Sequence, residues 1–354
     1  MNVLLDSVIF GLQRFGGISQ YWNEMSLRLL AKRELKISQR LPRKLLGDYT
    51  AIRAIPTSSI DSIETSIARY MPIAPREKHV DLVHTSYYRM TATPTLNLIC
   101  TVYDFTYEFQ RVGFARKVHS LQKSLAMRRS QGLIFISDST RNDALKLYPD
   151  LASKRLAVIN LASDPSVFFV DSRPRLCLPD GLDERDYVLF VGQRSGYKRF
   201  DLVIEAVALI PGLTLVAVGS PLNEAERSQI SRALEGRWVV RANVANEELR
   251  LLYTYATCFI YPSDYEGFGL PILDAMACGC PVICADRSSF PEVAGDAALM
   301  IHAQQAESYA CAIVEVRRAD IRADLRARGL ARSKRFSWED MAARTLDFYS
   351  EFAT

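Results

Sequence analysis

The stretch Cys258-Phe259-Ile260-Tyr261-Pro262-Ser263-Asp264-Tyr265-Glu266-Gly267-Phe268-Gly269-Leu270-Pro271-Ile272-Leu273-Asp274 decides the fold. An apolar strand enters a loop, the loop turns through two glycines, and a helix begins with Pro271 in its first turn, where a missing amide proton costs little. Such a helix start presents free amide donors and partial positive charge to an anion. Glu266 in the loop and Asp274 on the helix are then placed to grip hydroxyls beside that anion. The same residues also read as an ordinary strand-to-helix turn with Glu266 in solvent, because glycine loops are common.

A second loop, Gly192-Gln193-Arg194-Ser195-Gly196-Tyr197-Lys198-Arg199, follows the apolar run Tyr187 to Val191. Arg194 and Lys198 stand at a strand's carboxyl end, where open α/β sheets bind ligands, and their charge suits a diphosphate. A solvated basic loop is the bland alternative. Two such loops in one sheet favour a nucleotide diphosphate site over either bland reading.

Further strands are expected at 213–218, 238–240 and 281–284, and in the N-terminal half at 3–5, 82–83, 98–102 and 133–136, with helical patterns between them. Strands alternating with helices mean a parallel sheet covered on both faces. The stretch 161–186 carries Pro165, Pro174 and Pro179 among Asp and Ser and reads as a linker. The expected domains are therefore 1–170 and 171–335. Residues 336–354 form a final helix, started by Ser337 and Asp340 at capping-box spacing, with Trp338, Met341, Phe348 and Phe352 on one face. That helix is expected to cross the domain junction.

Composition limits the function. The chain has 354 residues, 49% of them hydrophobic, with 17 Gly and 15 Pro, which suits two globular domains and excludes disorder, collagen and coiled coil. No apolar run approaches the ~18 to 20 residues that span a bilayer, and the first residues lack a signal-peptide pattern, so a soluble, cytoplasmic protein is expected. Seven cysteines without framework spacing read as reduced thiols, and Cys278, Cys280 and Cys284 read as small buried side chains with only His302 of the four His in the same half. No Asp-x-Asp occurs, and no metal is expected. Residues 1–165 hold 23 Lys plus Arg against 14 Asp plus Glu, although the whole chain is only +4. That basic half suits phosphates or an anionic membrane, and without zinc-finger spacing or RNA-binding aromatics it argues against nucleic acid. On the segment Phe114 to Arg129, Phe114, Val118, Leu121 and Leu125 share a helical face with Arg116 and Lys123 opposite. It reads either as a helix packed on its own domain or as a membrane-facing one.

The Glu266 loop, Arg194 and Lys198, and Pro291-Glu292 downstream resemble the retaining family 4 glycosyltransferases of GT-B fold. Phe15-Gly16-Gly17-Ile18-Ser19, Asp81-Leu82-Val83-His84 and Thr101-Val102-Tyr103-Asp104 resemble the family's early motifs. The resemblance implies an α/β chain of two Rossmann-like, doubly wound domains facing a cleft, 1–170 on the acceptor side and 171–335 binding the nucleotide sugar. It implies that Arg194 and Lys198 hold the donor diphosphate, that Glu266 contacts the transferred sugar, and that Asp274 binds the ribose. Gly267, Phe268, Gly269 and Leu270 complete the donor loop, and Gly17 lies near the donor phosphates. The nucleotide sugar is a substrate, so no cofactor is implied. The implied acceptor is a saccharide, free or lipid-linked, in bacterial surface polysaccharide or O-antigen assembly, with peripheral attachment to the inner face of the cell membrane.

Two positions depart from the family. Asp274 stands where Glu is usual, and Tyr103 where many members carry His. A phenol with a pKa of about 10 is a poor base at neutral pH, so the acceptor proton is expected to pass to the donor phosphate, with Arg194 and Lys198 stabilising the departing diphosphate. Tyr103 then orients a sugar hydroxyl, and Asp104 either positions the acceptor or caps its loop. His84 is expected to be structural or to line the cleft. A nucleotide-sugar epimerase of GT-B fold and a non-catalytic nucleotide-binding protein are the rival readings.

Overall fold

Thirteen strands form two all-parallel sheets in the computed structural model, which describes residues 1–14, 16–75 and 79–353. Phe15 of the Gly-Gly motif lies outside the described residues. The chain divides into two units, one of Met1–Leu161 joined by the residues from Ser337 onward, the other of Ala162–Phe336.

The first unit holds β1 (Asn2–Asp6), β2 (Lys36–Leu41), β3 (Thr57–Ile60), β4 (Leu82–Thr85), β5 (Asn97–Val102), β6 (Gly132–Phe135) and β7 (Arg155–Val158), paired in the order β3-β2-β1-β4-β5-β6-β7. The second holds β8 (Tyr187–Val191), β9 (Thr214–Gly219), β10 (Trp238–Ala242), β11 (Cys258–Tyr261), β12 (Val282–Ala285) and β13 (Ala298–Ile301), in the order β10-β9-β8-β11-β12-β13. Each is the doubly wound arrangement the sequence implied. Each reverses its winding once, between β1 and β4 and between β8 and β11, and ligands of such sheets bind beyond the strands' carboxyl ends at that reversal.

The apolar strands are buried on both faces, as a helix-covered parallel sheet requires. In the second unit Val188, Phe190, Leu215, Ala217, Ile260 and Ile283 pack against Leu202, Val203 and Val207 of the Phe200–Ala208 helix and against Tyr309 and Ile313 of the Ala306–Val316 helix. At about 25 cal/mol per Å² of apolar surface, this burial is the main force holding each unit together.

The polar strand β2 is held differently. Gln39 is buried and its amide nitrogen donates to the carbonyls of Ala51, Ile52 and Ile55 at 3.1, 3.0 and 2.9 Å. Beside it the carboxyl ends of β1, β2 and β4 are tied by charge: Arg89 donates to Asp6 at 2.7 Å and to Asp61 at 3.0 Å, and Asp61 also takes Arg40 at 2.6 Å. Burial raises the Asp6 carboxyl from its ordinary value despite Arg89.

The proline-bearing stretch read as a linker is packed into the second unit. Asp171 accepts from Arg250 and Arg173 at 2.9 and 2.7 Å, and the two guanidiniums lower its pKa. At the other end of that unit Ser337 caps the Trp338–Ser350 helix through the Asp340 amide at 2.9 Å, and Trp338, Met341, Phe348 and Phe352 are buried. This helix packs in the first unit, where Tyr349 meets His84 Nδ1 at 2.5 Å. Thr101 Oγ1 occupies the other ring nitrogen at 2.8 Å, and burial lowers the His84 pKa to about 3, so His84 is a neutral, structural side chain.

The Phe114–Arg129 helix is inside out relative to the packed reading. Its buried side carries His119, Gln122 and Lys123, while Phe114 and Leu121 are 80% and 60% exposed and the preceding Val112 87%. Lys123 does not lie on a solvated face. Its ammonium is buried on Glu108 and on the Asp104 carbonyl, both at 2.8 Å, and these partners compensate a charge that would otherwise be costly to bury.

Candidate functional site

The loops after β8 and β11 meet at the reversal of the second sheet. Asp264 N donates to the Tyr197 carbonyl at 2.7 Å, Arg199 lies 3.7 Å from the Asp264 carboxylate, and Lys198 Nζ forms an ion pair with Glu266 Oε1. Lys198 also reaches the Tyr261 hydroxyl at 3.1 Å. Burial by itself would lower the Lys198 pKa, but the negative charge beside it outweighs this and leaves it raised. Burial raises the Tyr261 phenol and keeps it neutral, so Glu266 is the anion that matters. A cation and a carboxylate thus face each other at the ligand-binding end of the sheet.

Two backbone features fix these loops. A Cβ on Gly219 would stand 2.3 Å from the Gly192 carbonyl oxygen, so the ends of β8 and β9 approach in a way only glycine allows. Gly269 has φ +102°, and it turns the chain into the Leu270–Ala277 helix with Pro271 in its first turn. Phe268 is buried and meets the Phe336 ring edge-on at 5.8 Å, so it anchors the loop rather than contacting solvent. Ser289 donates to the carbonyls of Phe268 at 2.7 Å and Glu266 at 3.1 Å, while Ser288 donates to the Glu266 carbonyl at 2.5 Å. Gly267 is buried between these anchored neighbours, and Leu270 opens the helix.

Asp274, on the same helix, accepts from Ser163 Oγ at 2.6 Å. Burial raises its pKa to about 7, although the Ser163 hydrogen bond works the other way. Arg194 has several protein partners. It donates to Glu226 at 3.1 Å and to the carbonyls of Ser220 and Pro221 at 2.7 and 2.9 Å, and only Nη1 is buried without a partner. Glu226 is itself fixed by the capping box it forms with Asn223. Arg194 therefore organises the β9 loop, whereas the Lys198 ammonium has a single anionic partner.

In the first unit, Gly17 begins the exposed start of the Gly17–Leu30 helix. Tyr103 requires a correction. Its side chain is 3% exposed and meets the Tyr21 ring edge-on at 5.8 Å, and burial pushes its phenol well above 10. It is a core residue whose hydroxyl is buried without a hydrogen-bond partner. Asp104 caps its own loop, accepting from the Thr106 amide at 3.3 Å. Burial raises the thiols of Cys278, Cys280 and Cys284, the last to about 12, which suits packing. Among the described residues no group of His, Cys, Asp and Glu could hold a metal ion.

The sequence reading did not single out Tyr261, Ser163, Ser288, Ser289, Glu226 or Gly219. The serine pair gave a faint signal, preceding Phe290-Pro291-Glu292, while Ser163 lay in the supposed linker. Only the folded chain brings them to the loops.

Comparison with known proteins gives the family and the fold. The family model of "Glycosyl transferases group 1" matches residues 180–329, which contain both loops. The O-antigen chain mannosyltransferase B of Escherichia coli is 30% identical over 248 residues, covering 66% of this chain and 64% of that protein. The alpha-maltose-1-phosphate synthase of Mycolicibacterium smegmatis is 30% identical over 267 residues, 68% of each chain. Among solved structures, Anabaena Alr3699/HepE in complex with UDP and glucose superposes with a TM-score of 0.74 at 17% identity, covering 99% of both chains.

The Asp274 geometry predicts a pH signature. A carboxyl raised from 3.8 to about 7 is most favourable to folding when protonated, and that stability is lost as pH rises between those values. Asp274→Asn keeps a partner for Ser163 without the charge. Its Tm relative to the unsubstituted chain is expected to climb from about pH 4 to pH 7 and then level off. A difference that stays flat across that window would remove the raised pKa.

Proposed function

Because this chain belongs to the group 1 glycosyltransferases and has their GT-B fold, we propose that it moves a sugar from a nucleotide diphosphate sugar to a saccharide acceptor with retention of configuration. The Lys198–Glu266 pair carries the reading. A diphosphate entering at the sheet reversal takes Lys198 and frees Glu266 for the hydroxyls of the sugar, so one event creates both contacts. Asp274 turns from Ser163 to the ribose hydroxyls, and Nη1 of Arg194 adds a donor on the phosphate side.

In the transfer step the acceptor oxygen bonds to the anomeric carbon, the bond from that carbon to the diphosphate oxygen breaks, and the acceptor proton passes to the departing phosphate. Tyr103 is buried and His84 holds a pKa of about 3, so neither supplies a base at neutral pH, and the leaving group itself fills that role. Lys198 stabilises the charge that develops on the diphosphate. Transfer then needs no divalent metal and no bound cofactor. The names of the relatives support a surface polysaccharide setting: an O-antigen mannosyltransferase is among them, and a neighbour of the same fold was solved with UDP and glucose.

The acceptor on this account is lipid-linked and met at an anionic membrane surface. The exposed Val112, Phe114, Leu121 and Leu125 stand beside Arg111, Arg116, Lys117, Arg128 and Arg129, all of them exposed, which is the composition of an interfacial helix. No described helix is long and apolar enough to cross a membrane.

Incubating the chain with a panel of nucleotide sugars in excess chelator, with and without saccharides, is expected to release nucleotide and form a glycoside. Interconversion of sugars without release would indicate an epimerase, and neither outcome would leave a binding protein. In the same assay Glu266→Gln is expected to lower turnover about 10²-fold, the scale of one lost transition-state hydrogen bond, while affinity for the free nucleotide diphosphate does not fall. Equal losses in both would move Glu266 out of the sugar site.

Attachment to anionic vesicles is expected to weaken as salt rises, since each basic residue near the surface contributes about 1 kcal/mol that ions screen. Sedimentation showing no preference for anionic over neutral lipid at low salt would refute the membrane assignment.

A further inference from the structure

The second unit carries an apolar groove of about 440 Å³, lined by Leu209 and Ile210 at the end of the Phe200–Ala208 helix and by Cys311, Val314, Glu315 and Arg318 along and just after the Ala306–Val316 helix. The first of these helices returns the chain from the carboxyl end of β8 to the amino end of β9, so its last residues, and the groove with them, lie opposite the ligand-binding end of the sheet. Both helices bury their inner faces against the strands. Their outer faces leave Leu209 53% and Val314 56% exposed, with Ala208 and Cys311 exposed beside them.

The rim of the groove is acidic. Glu315 lines it, Glu205 stands one helical turn before Leu209, and Glu307 one turn before Cys311, all three exposed. The neighbouring ion pairs Arg199–Asp201, Arg317–Asp186 and Arg318–Asp320 leave these three carboxylates unpaired among the described residues. Two copies of this face would set carboxylates against carboxylates, and an anionic lipid surface would be repelled for the same reason. An occupant has to bring apolar side chains and positive charge together.

The chain itself presents such an element. On the Phe114–Arg129 helix, Phe114, Val118, Leu121 and Leu125 recur at the i, i+4, i+7 spacing with which a helix seats in a groove, and Phe114 and Leu121 are mostly exposed. Arg111, Arg116, Lys117 and Arg129 are exposed around them and unpaired among the described residues, whereas Arg128 is taken by Asp150 at 2.7 Å. We propose that the groove receives the Phe114–Arg129 helix of a second copy of this chain. Phe114 and Leu121 enter beside Leu209 and Val314, and the free cations of the helix meet Glu205, Glu307 and Glu315. Groove and helix are different surfaces, so each pair keeps one open groove and one open helix, and association grows with concentration or closes into a ring. A copy docked through its helix is off the membrane, because the same apolar residues serve both contacts.

Analytical ultracentrifugation of the full chain across the micromolar range is expected to show association that grows with concentration and weakens with salt. Leu209→Asp and Phe114→Asp each place a carboxylate where apolar groups meet, and each alone should weaken association at least about tenfold. Mixed one to one, the two variants should form a dimer that grows no further, since the first supplies an intact helix and the second an intact groove. Both substituted side chains are exposed, and circular dichroism with thermal unfolding shows that each variant has folded. A chain that stays monomeric at low salt would overturn the proposal, as would a mixture that fails to pair. Association lost with Leu209→Asp but kept with Phe114→Asp would seat another part of the chain in the groove, and the reverse would move the helix to another surface; either result overturns the pairing. No lipid or nucleotide sugar is present, so the mixing result stands whatever the transfer and vesicle assays give.

Discussion

The ion pair between Lys198 and Glu266 is the constraint around which the second unit is arranged. It brings together two loops that are 68 residues apart in the chain, across the reversal between β8 and β11. A pair of this kind adds little to stability, because desolvating both charges offsets their attraction. Its worth lies in position. With both side chains mostly out of water, each keeps a strong demand for a partner, and a ligand offering an anion on one side and hydroxyls on the other meets both demands. Tyr261, Ser288, Ser289 and the two glycines at 219 and 269 matter because they fix the backbone that carries the pair.

The first unit uses charge in a different place. Arg89 between Asp6 and Asp61, and Lys123 between Glu108 and the Asp104 carbonyl, lie beneath the loops at the carboxyl ends of β1, β4 and β5. Removing one partner from such a buried set leaves an uncompensated charge, which is costly, so these loops have few alternative conformations. The Phe114–Arg129 helix, which carries Lys123, is packed on that base. The same helix turns its apolar residues outward because its inner side is occupied by Lys123, Gln122 and His119. Support for the loops and exposure of Phe114 and Leu121 are thus two results of one packing choice.

The doubly wound architecture was legible wherever strands were continuous apolar runs, as in Tyr187–Val191 and Cys258–Tyr261, because burial on both faces leaves that mark on the sequence. Strands β2 and β3 were not, since Gln39 is buried and Arg40 half-buried through partners that sequence spacing cannot reveal, and β3 is short and polar. β7 and β13 lie at sheet edges, where one neighbour is missing and the apolar signal is short. At the site, residue types with few structural uses at a strand's carboxyl end, Lys198 and Glu266, were readable. The partners of Tyr103 and Arg194 were not, because a sequence shows which groups are present and not which way they face: Tyr103 turns into the core, and Arg194 pairs with Glu226. The Phe114–Arg129 helix kept two readings for the same reason, as periodicity finds an apolar stripe without saying what it faces, and the packed reading is the one its exposed Phe114 and Leu121 exclude.

The central claim is that Lys198 is the diphosphate ligand and that Glu266 holds it until the donor arrives. Calorimetric titration of a nucleoside diphosphate into the unsubstituted chain, Lys198→Ala, Glu266→Gln and the double variant tests it directly. The account predicts that Lys198→Ala weakens binding by about 1.5 to 3 kcal/mol, the range for a charge-assisted hydrogen bond. It also predicts that Glu266→Gln tightens binding when Lys198 is present and has no effect when it is absent. Affinity unchanged by Lys198→Ala, or an effect of Glu266→Gln that is the same in both backgrounds, would contradict it.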